Sequence, residues 1–184
     1  MMRALLSGCV LFALVALLIP AWAGEAQKAK RLAVVKKVLD DAKITLEEAM
    51  TTAQKKVPEG KLLVARTEQD ETKSKFGFYF LVGNKVQEVE LDVVSGDILK
   101  NEEKKNVEKS KKLVNAKKAL KGAKVSFKQA LEIAGNKVKG GKPFEVEMEL
   151  DGDRAIVEVE FLVGGKISRV RIDARDATKV EVVD

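Results

Sequence analysis

Apolar positions along this chain follow two rhythms, and the pair of rhythms occurs twice. Leu32, Val35 and Leu39 stand at helical spacing in a stretch rich in Ala and Lys. After a short break, Leu46, Ala49, Met50, Ala53 and Val57 recur at i, i+3, i+4, i+7 and i+11. That spacing puts one apolar stripe on an amphipathic helix. Thr45-Leu46-Glu47-Glu48 reads as a capping box at its start, and Pro58-Glu59-Gly60 stops it. Ser126-Phe127-Lys128-Gln129 opens a second such helix, with Phe127, Ala130, Leu131, Ala134 and Val138 on its face and Gly140-Gly141 at its end.

Between and after the helices the period drops to two. Phe144, Val146, Met148 and Leu150 alternate with Glu145, Glu147 and Glu149, and Asp151-Gly152-Asp153 makes a turn. Val157, Val159 and Phe161 alternate with Glu158 and Glu160, Gly164-Gly165 forms a hairpin, and Val170 and Ile172 follow between Arg169 and Arg171. Counting outward from the hairpin pairs Val163 with Lys166, Glu160 with Arg169 and Glu158 with Arg171. Opposite charges then face each other across the strands, as pairing favours, while a slip of one residue would bury them. Segments around Ile98-Leu99 and Val180-Val182 are expected to close each sheet.

The recurrence has a fixed offset of 81 residues. Phe80-Leu81-Val82-Gly83-Asn84-Lys85 returns as Phe161-Leu162-Val163-Gly164-Gly165-Lys166, and 21 of the 69 positions in 31–99 are identical in 112–180. A period this long indicates a duplicated small domain. The expected architecture is α+β: two tandem repeats, residues 24–101 and 102–184, each with helices on one face of an antiparallel sheet. The stretch Asn101 to Lys124 has no proline and reads as a short approach plus the second repeat's first helix.

The first residues read as a secretory leader. Arg3 is followed by an apolar core from Leu11 to Ile19, Pro20 and the small-residue pattern Ala21-Trp22-Ala23. Residues 1–23 are therefore expected to be a signal peptide, with an uncleaved anchor as the alternative. Leu6-Ser7-Gly8-Cys9 resembles a lipobox but precedes the apolar core. Cys9 is the single cysteine and the chain has no histidine. Ser-His-Asp and Cys-His catalysis, zinc helices with paired histidines and histidine-ligated haem are thus excluded. No carboxylate-only or Ser-Lys constellation stands out. The expectation is a protein without catalytic residues, metal site or cofactor, exported to a periplasm or secreted.

The repeats differ on their outward strand positions. The second carries Glu145, Glu147, Glu149, Glu158, Glu160, Arg169 and Arg171, whereas the first offers Leu62, Val64, Tyr79, Leu81 and Val86. An apolar patch on a solvated face marks contact with a protein partner, with the other repeat or with a second copy. The glutamates near Asp151-Gly152-Asp153 suggest an alternative, a cation- or ligand-sensing envelope module, although spaced calcium ligands are lacking. Lysines 104, 105, 109, 111, 112, 117, 118, 121 and 124 form a basic region on an otherwise mildly basic chain of formal charge +6. That region could meet anionic lipid; without aromatic residues for stacking it offers little to nucleic acid.

With these elements placed, the chain resembles the PepSY family. Ile44-Thr45, Ala49 and Ala53 match the family's helix, and Val89, Asp92, Ser95, Gly96 and Ile98 match its closing strand and turn. The second copy matches at Val125-Ser126, Ala130, Ala134, Val170 and Asp173, but has Asp176-Ala177 where the first has Ser95-Gly96, so an altered last turn is expected. PepSY domains occur in propeptides of thermolysin-like metallopeptidases and as free-standing exported modules. The resemblance implies a non-enzymatic protein-binding module, with restraint of a peptidase in trans as its sharpest form. The layout also resembles that of the beta-lactamase inhibitor protein, in architecture alone.

Overall fold

The computed structural model describes residues 21–71 and 73–183, with side chains from residue 25 onward. The leader expected at residues 1–23 and the Cys9 motif lie outside the described residues, except that the backbone of the first helix begins at Ala21.

Each repeat is two helices followed by a four-stranded meander. The first comprises α1 (Ala21–Asp41), α2 (Leu46–Lys56), β1 (Lys61–Asp70), β2 (Lys73–Val82), β3 (Lys85–Asp92) and β4 (Ile98–Glu103). A single 3-10 turn, Val107–Lys109, leads into α3 (Lys111–Ala119), α4 (Phe127–Lys137), β5 (Lys142–Asp151), β6 (Arg154–Val163), β7 (Lys166–Asp173) and β8 (Asp176–Val183). The α+β class and the tandem repeat are as the sequence indicates.

The meanders do not form two sheets. They join into one eight-stranded antiparallel sheet, in the order β4-β3-β2-β1-β5-β6-β7-β8. β1 and β5 are the leading strands of their meanders, so each has a free edge of unpaired N–H and C=O groups, and the seam satisfies them mutually. Ala65 pairs with Val146, which is its own equivalent 81 residues on, while Val64 pairs with Glu147 and Arg66 with Glu145. A residue paired with its own counterpart places a pseudo-twofold axis through this point, the arrangement of an isologous interface.

Local rules account for the helices. Thr45 accepts from the amide of Glu48, and Glu48 accepts from the amide of Thr45, completing a capping box at α2. At α4, Ser126 accepts from the amide of Gln129. The reciprocal bond expected there is found, among the described residues, only at α2, where the N3 residue is a carboxylate and so the stronger acceptor. α2 packs on β1–β3 and α4 on β5–β8, burying the stripes Leu46, Ala49, Ala53 and Phe127, Ala130, Ala134 against Phe76, Phe78, Val146 and Val159.

The other face of the sheet is not open. α1 lies against β1, β2 and β5, and α3 against β5, β1 and β6, and both bring cations onto the strand glutamates. The expectation of helices on one face of each sheet is therefore corrected: a second pair roofs the middle of the opposite face. Periodicity locates an amphipathic helix but does not say which sheet face receives it.

Candidate binding site

The central feature of the roofed face is a network of ion pairs in which buried carboxylates meet part-exposed cations. β5 and β6 set Glu145 opposite Glu160 and Glu147 opposite Glu158. Like charges in direct cross-strand pairs repel, so this register needs compensating cations. Arg169 and Arg171 on β7 supply two of them: Arg169 Nε lies 2.5 Å from Glu160 and Arg171 Nε lies 2.8 Å from Glu158. The β6–β7 register is the one counted from the hairpin, with Val163 opposite Lys166. Arg31 on α1 donates to Glu145 at 2.6 Å and to both oxygens of Glu160, with its guanidinium over the Phe144 ring. Lys112 on α3 bridges Glu145 and Glu147.

These contacts bury the glutamates that the sequence suggests are solvated; Glu160 is only 4 % exposed. Burial disfavours the charge on Glu145, yet Lys112, Arg31 and Arg66 more than offset it and hold the carboxyl below its ordinary range. Glu149 goes the other way, because burial and the nearby Glu158 outweigh Arg171. Carboxylate oxygens of Glu147, Glu149 and Glu158 lie within 4.8 Å of one another. A cation placed there would have to displace the Lys112 and Arg171 groups that already neutralise the cluster.

The apolar patch expected in the first repeat is also covered. Val64, Tyr79 and Val86 are buried, and Leu62 and Leu81 pack in part against the same core. The Arg66 guanidinium and the Lys104 ammonium lie over the Tyr79 ring, 5.2 and 5.4 Å from its centre. The Tyr79 hydroxyl donates to Glu68 at 2.9 Å, and burial with that neighbour raises its pKa. The expectation of an exposed surface at these five positions is corrected: the 3-10 turn and α3 fold back over this side, with Val107 and Val114 beside Leu81. The internal-contact alternative left open for this patch describes the geometry found.

The motif residues build a turn. Asp92 Oδ1 accepts from the amides of Val94 and Ser95, Ser95 Oγ accepts from Asp97, and Gly96 takes a positive φ of 76°. These bonds hold the Asp92 carboxyl below its ordinary range. The turn presents Val94 and starts edge strand β4, where Ile98 and Leu99 are exposed. In the second repeat Asp173 accepts from Arg175, and β8 begins at Asp176, so a two-residue turn replaces the longer one. The dipeptide Asp176-Ala177 signals this difference.

A groove that the sequence reading missed runs between α2 and α4 on the opposite side of the sheet. It encloses about 790 Å³, with Met50, Leu62, Phe127 and Met148 among its apolar walls and Lys55, Lys61, Lys124 and Lys128 at its rim. Its walls come from different repeats, and only the seam brings them together.

A duplicated helix–helix–meander unit, joined edge to edge and with its strand carboxylates tied up in internal pairs, defines a small modular α+β protein. The chain belongs to the PepSY family, the peptidase propeptide and YPEB domain, which matches residues 43–102 and 124–182. Among solved structures it is similar to the crystal structure of a putative lipoprotein from Clostridium difficile 630, at 21% identity over 78% of this chain and 95% of that one, with a TM-score of 0.41. It is also similar to the Bacillus megaterium YpeB C-terminal domain, at 18% identity over 78% of this chain and 67% of that one, with a TM-score of 0.29. No curated protein matches the chain. No helix among the described residues is long and apolar enough to cross a membrane.

Proposed function

We propose that this PepSY protein is an exported, non-catalytic module that binds another protein through the open edge at β4, with a peptidase as the first candidate partner. The carrying observation is the clustering of exposed apolar side chains. Val94, Ile98 and Leu99 are three of the four large exposed hydrophobics among the described residues, and all lie at the motif turn or on the edge strand it starts. An unpaired edge flanked by apolar side chains suits addition of an extended strand, in which main-chain bonds give affinity and side-chain pockets give selection. The non-catalytic reading is supported by the strand carboxylates, which are held in ion pairs, and by the lack of histidine.

Affinity capture from an envelope extract tests this reading, using the parent protein beside an Ile98→Glu/Leu99→Lys variant with unchanged circular dichroism. A peptidase retained by the parent and lost by the variant supports it. Identical captures from both baits would remove the β4 edge as the contact.

A further inference from the structure

The groove between α2 and α4 has an unusual balance of chemistry. None of its lining residues is acidic, and four are lysines. The ammonium groups of Lys55, Lys61, Lys124 and Lys128 make no ion pair or hydrogen bond among the described residues, whereas the cations of the opposite face are heavily engaged. The neutral polar side chains of the lining are few, and each makes a local bond. Thr51 donates to the Glu47 carbonyl, Gln54 donates to the Val57 and Gly60 carbonyls, and Ser126 accepts from Gln129. Lys124 and Lys128 flank the N-terminus of α4, whose first turn holds no acid, so the positive end of its dipole adds to the field. The apolar floor of Met50, Phe127 and Met148 is formed by buried side chains.

We propose that this groove binds an anionic amphiphile with a single acyl chain, its tail along Met148 and Phe127 and its carboxylate or phosphate head between Lys124 and Lys128. The size falls within the range of small-molecule sites, which are apolar with a few placed polar groups. An extended peptide fits less well, because most of its backbone N–H and C=O groups would lie along the apolar walls, where Thr51, Gln54 and Ser126 are the few neutral polar side chains. An acyl chain brings no such groups, and its one charge meets the unpaired ammoniums. The positions related by the pseudo-twofold are different: the counterparts of Lys128 and Met148 are Glu47 and Thr67 of the first repeat, so the sequence equips only one of the two for this ligand. The proposal is independent of the β4 contact.

Met50 and Met148 provide the readout. The protein is labelled with methyl-13C methionine, the two signals are assigned with Met50→Leu and Met148→Leu, and dodecanoate is titrated below its micellar concentration. Both methyls should shift and saturate, dodecanol should bind at least about tenfold more weakly, and dodecylammonium should not compete. A Lys124→Gln/Lys128→Gln variant should raise the Kd by about tenfold at an unchanged melting temperature. The proposal is overturned by absence of saturation, by equal binding of the three head groups, or by an unchanged Kd in the lysine variant. A peptide of alternating Leu and Glu that saturates the methyls more tightly than dodecanoate would also overturn it, making the occupant a chain segment.

Discussion

Replacing Glu88 by Gln removes the carboxylate at the centre of the first repeat's buried charges. Glu88 is 3 % exposed and accepts from Lys100 and Lys104, each at 2.6 Å. Burial alone would raise its pKa, but these two ammoniums lower it from 4.5 to about 2. At ~1.4 kcal/mol per pKa unit, that depression corresponds to roughly 3 kcal/mol of stability. Both lysine side chains are about a third exposed, and water screening reduces the expected loss on substitution to about 2 kcal/mol. The sign follows from a folded pKa below the unfolded one: the contribution is complete above about pH 4.5 and disappears as pH falls through about 2. Urea unfolding of parent and Glu88→Gln, followed by circular dichroism, should therefore show a gap of about 2 kcal/mol at neutral pH that closes as the solution approaches pH 2. A gap of equal size at both ends would mean that the loss comes from packing. No gap at neutral pH would mean that the pairs are worth no more than hydration of their members.

The remaining predictions concern local geometry. Gly60→Ala should lower stability by about 1–3 kcal/mol, because the new Cβ would sit 2.7 Å from Val57 Cγ1 and 2.9 Å from Phe80 Cβ; an unchanged melting temperature would contradict this. Gly135→Ala, in α4 with open space around it, should instead raise stability by roughly 0.5–1 kcal/mol. Thr45→Ala should cost about 1 kcal/mol or more and Ser126→Ala less, since the Thr45 hydroxyl both accepts from the Glu48 amide and donates to the Glu48 carboxylate, whereas that of Ser126 accepts from the Gln129 amide. Equal losses would show that the bond from the Thr45 hydroxyl to the Glu48 carboxylate adds nothing. Arg31→Ala should cost about 1–3 kcal/mol by leaving Glu145 and Glu160 facing each other with one guest cation fewer, measured by urea unfolding as a loss that high salt reduces only in part, because the carboxylates are buried while the Arg31 side chain is 39 % exposed.

The local code of this chain was legible because each element carries its own signal. Gly164-Gly165 fixes the β6–β7 register, Thr45 and Ser126 fix helix starts, and the 81-residue offset reveals the duplication. What joins the repeats has no such signal. The seam uses only three residue pairs around Ala65 and Val146, and any β strand with a free edge could make it. The roofing of the far face was invisible for a related reason. Alternating Glu and Val describe a strand with one charged face, and only the arrival of Arg31 and Lys112 from distant helices turns that face into an interior. The groove was missed because Met50 and Lys55 belong to one repeat and Phe127, Lys128 and Met148 to the other. Each set alone reads as a helix stripe with solvated lysines.

The two repeats have diverged in a way that the seam makes mutually dependent. Arg31 and Lys112 are equivalent positions, 81 residues apart. Arg31 finds Glu145 and Glu160 on the second meander. The counterparts of those glutamates on the first meander are Val64 and Tyr79, which give Lys112 no carboxylate. Lys112 turns across the seam instead, to Glu145 and Glu147, the latter paired directly with Val64. Both helix cations thus converge on the acidic strands of one repeat, while the other repeat keeps an apolar interior around Val64, Tyr79 and Val86. Separated from the first repeat, the second would lose Arg31 and expose Glu145 opposite Glu160 with only Lys112 and Arg169 to offset them. The first would lose the α3 cover from its own apolar strands. Each half therefore supplies what the other lacks, and the double sheet, rather than the single motif, is the unit whose edges and groove are available for binding.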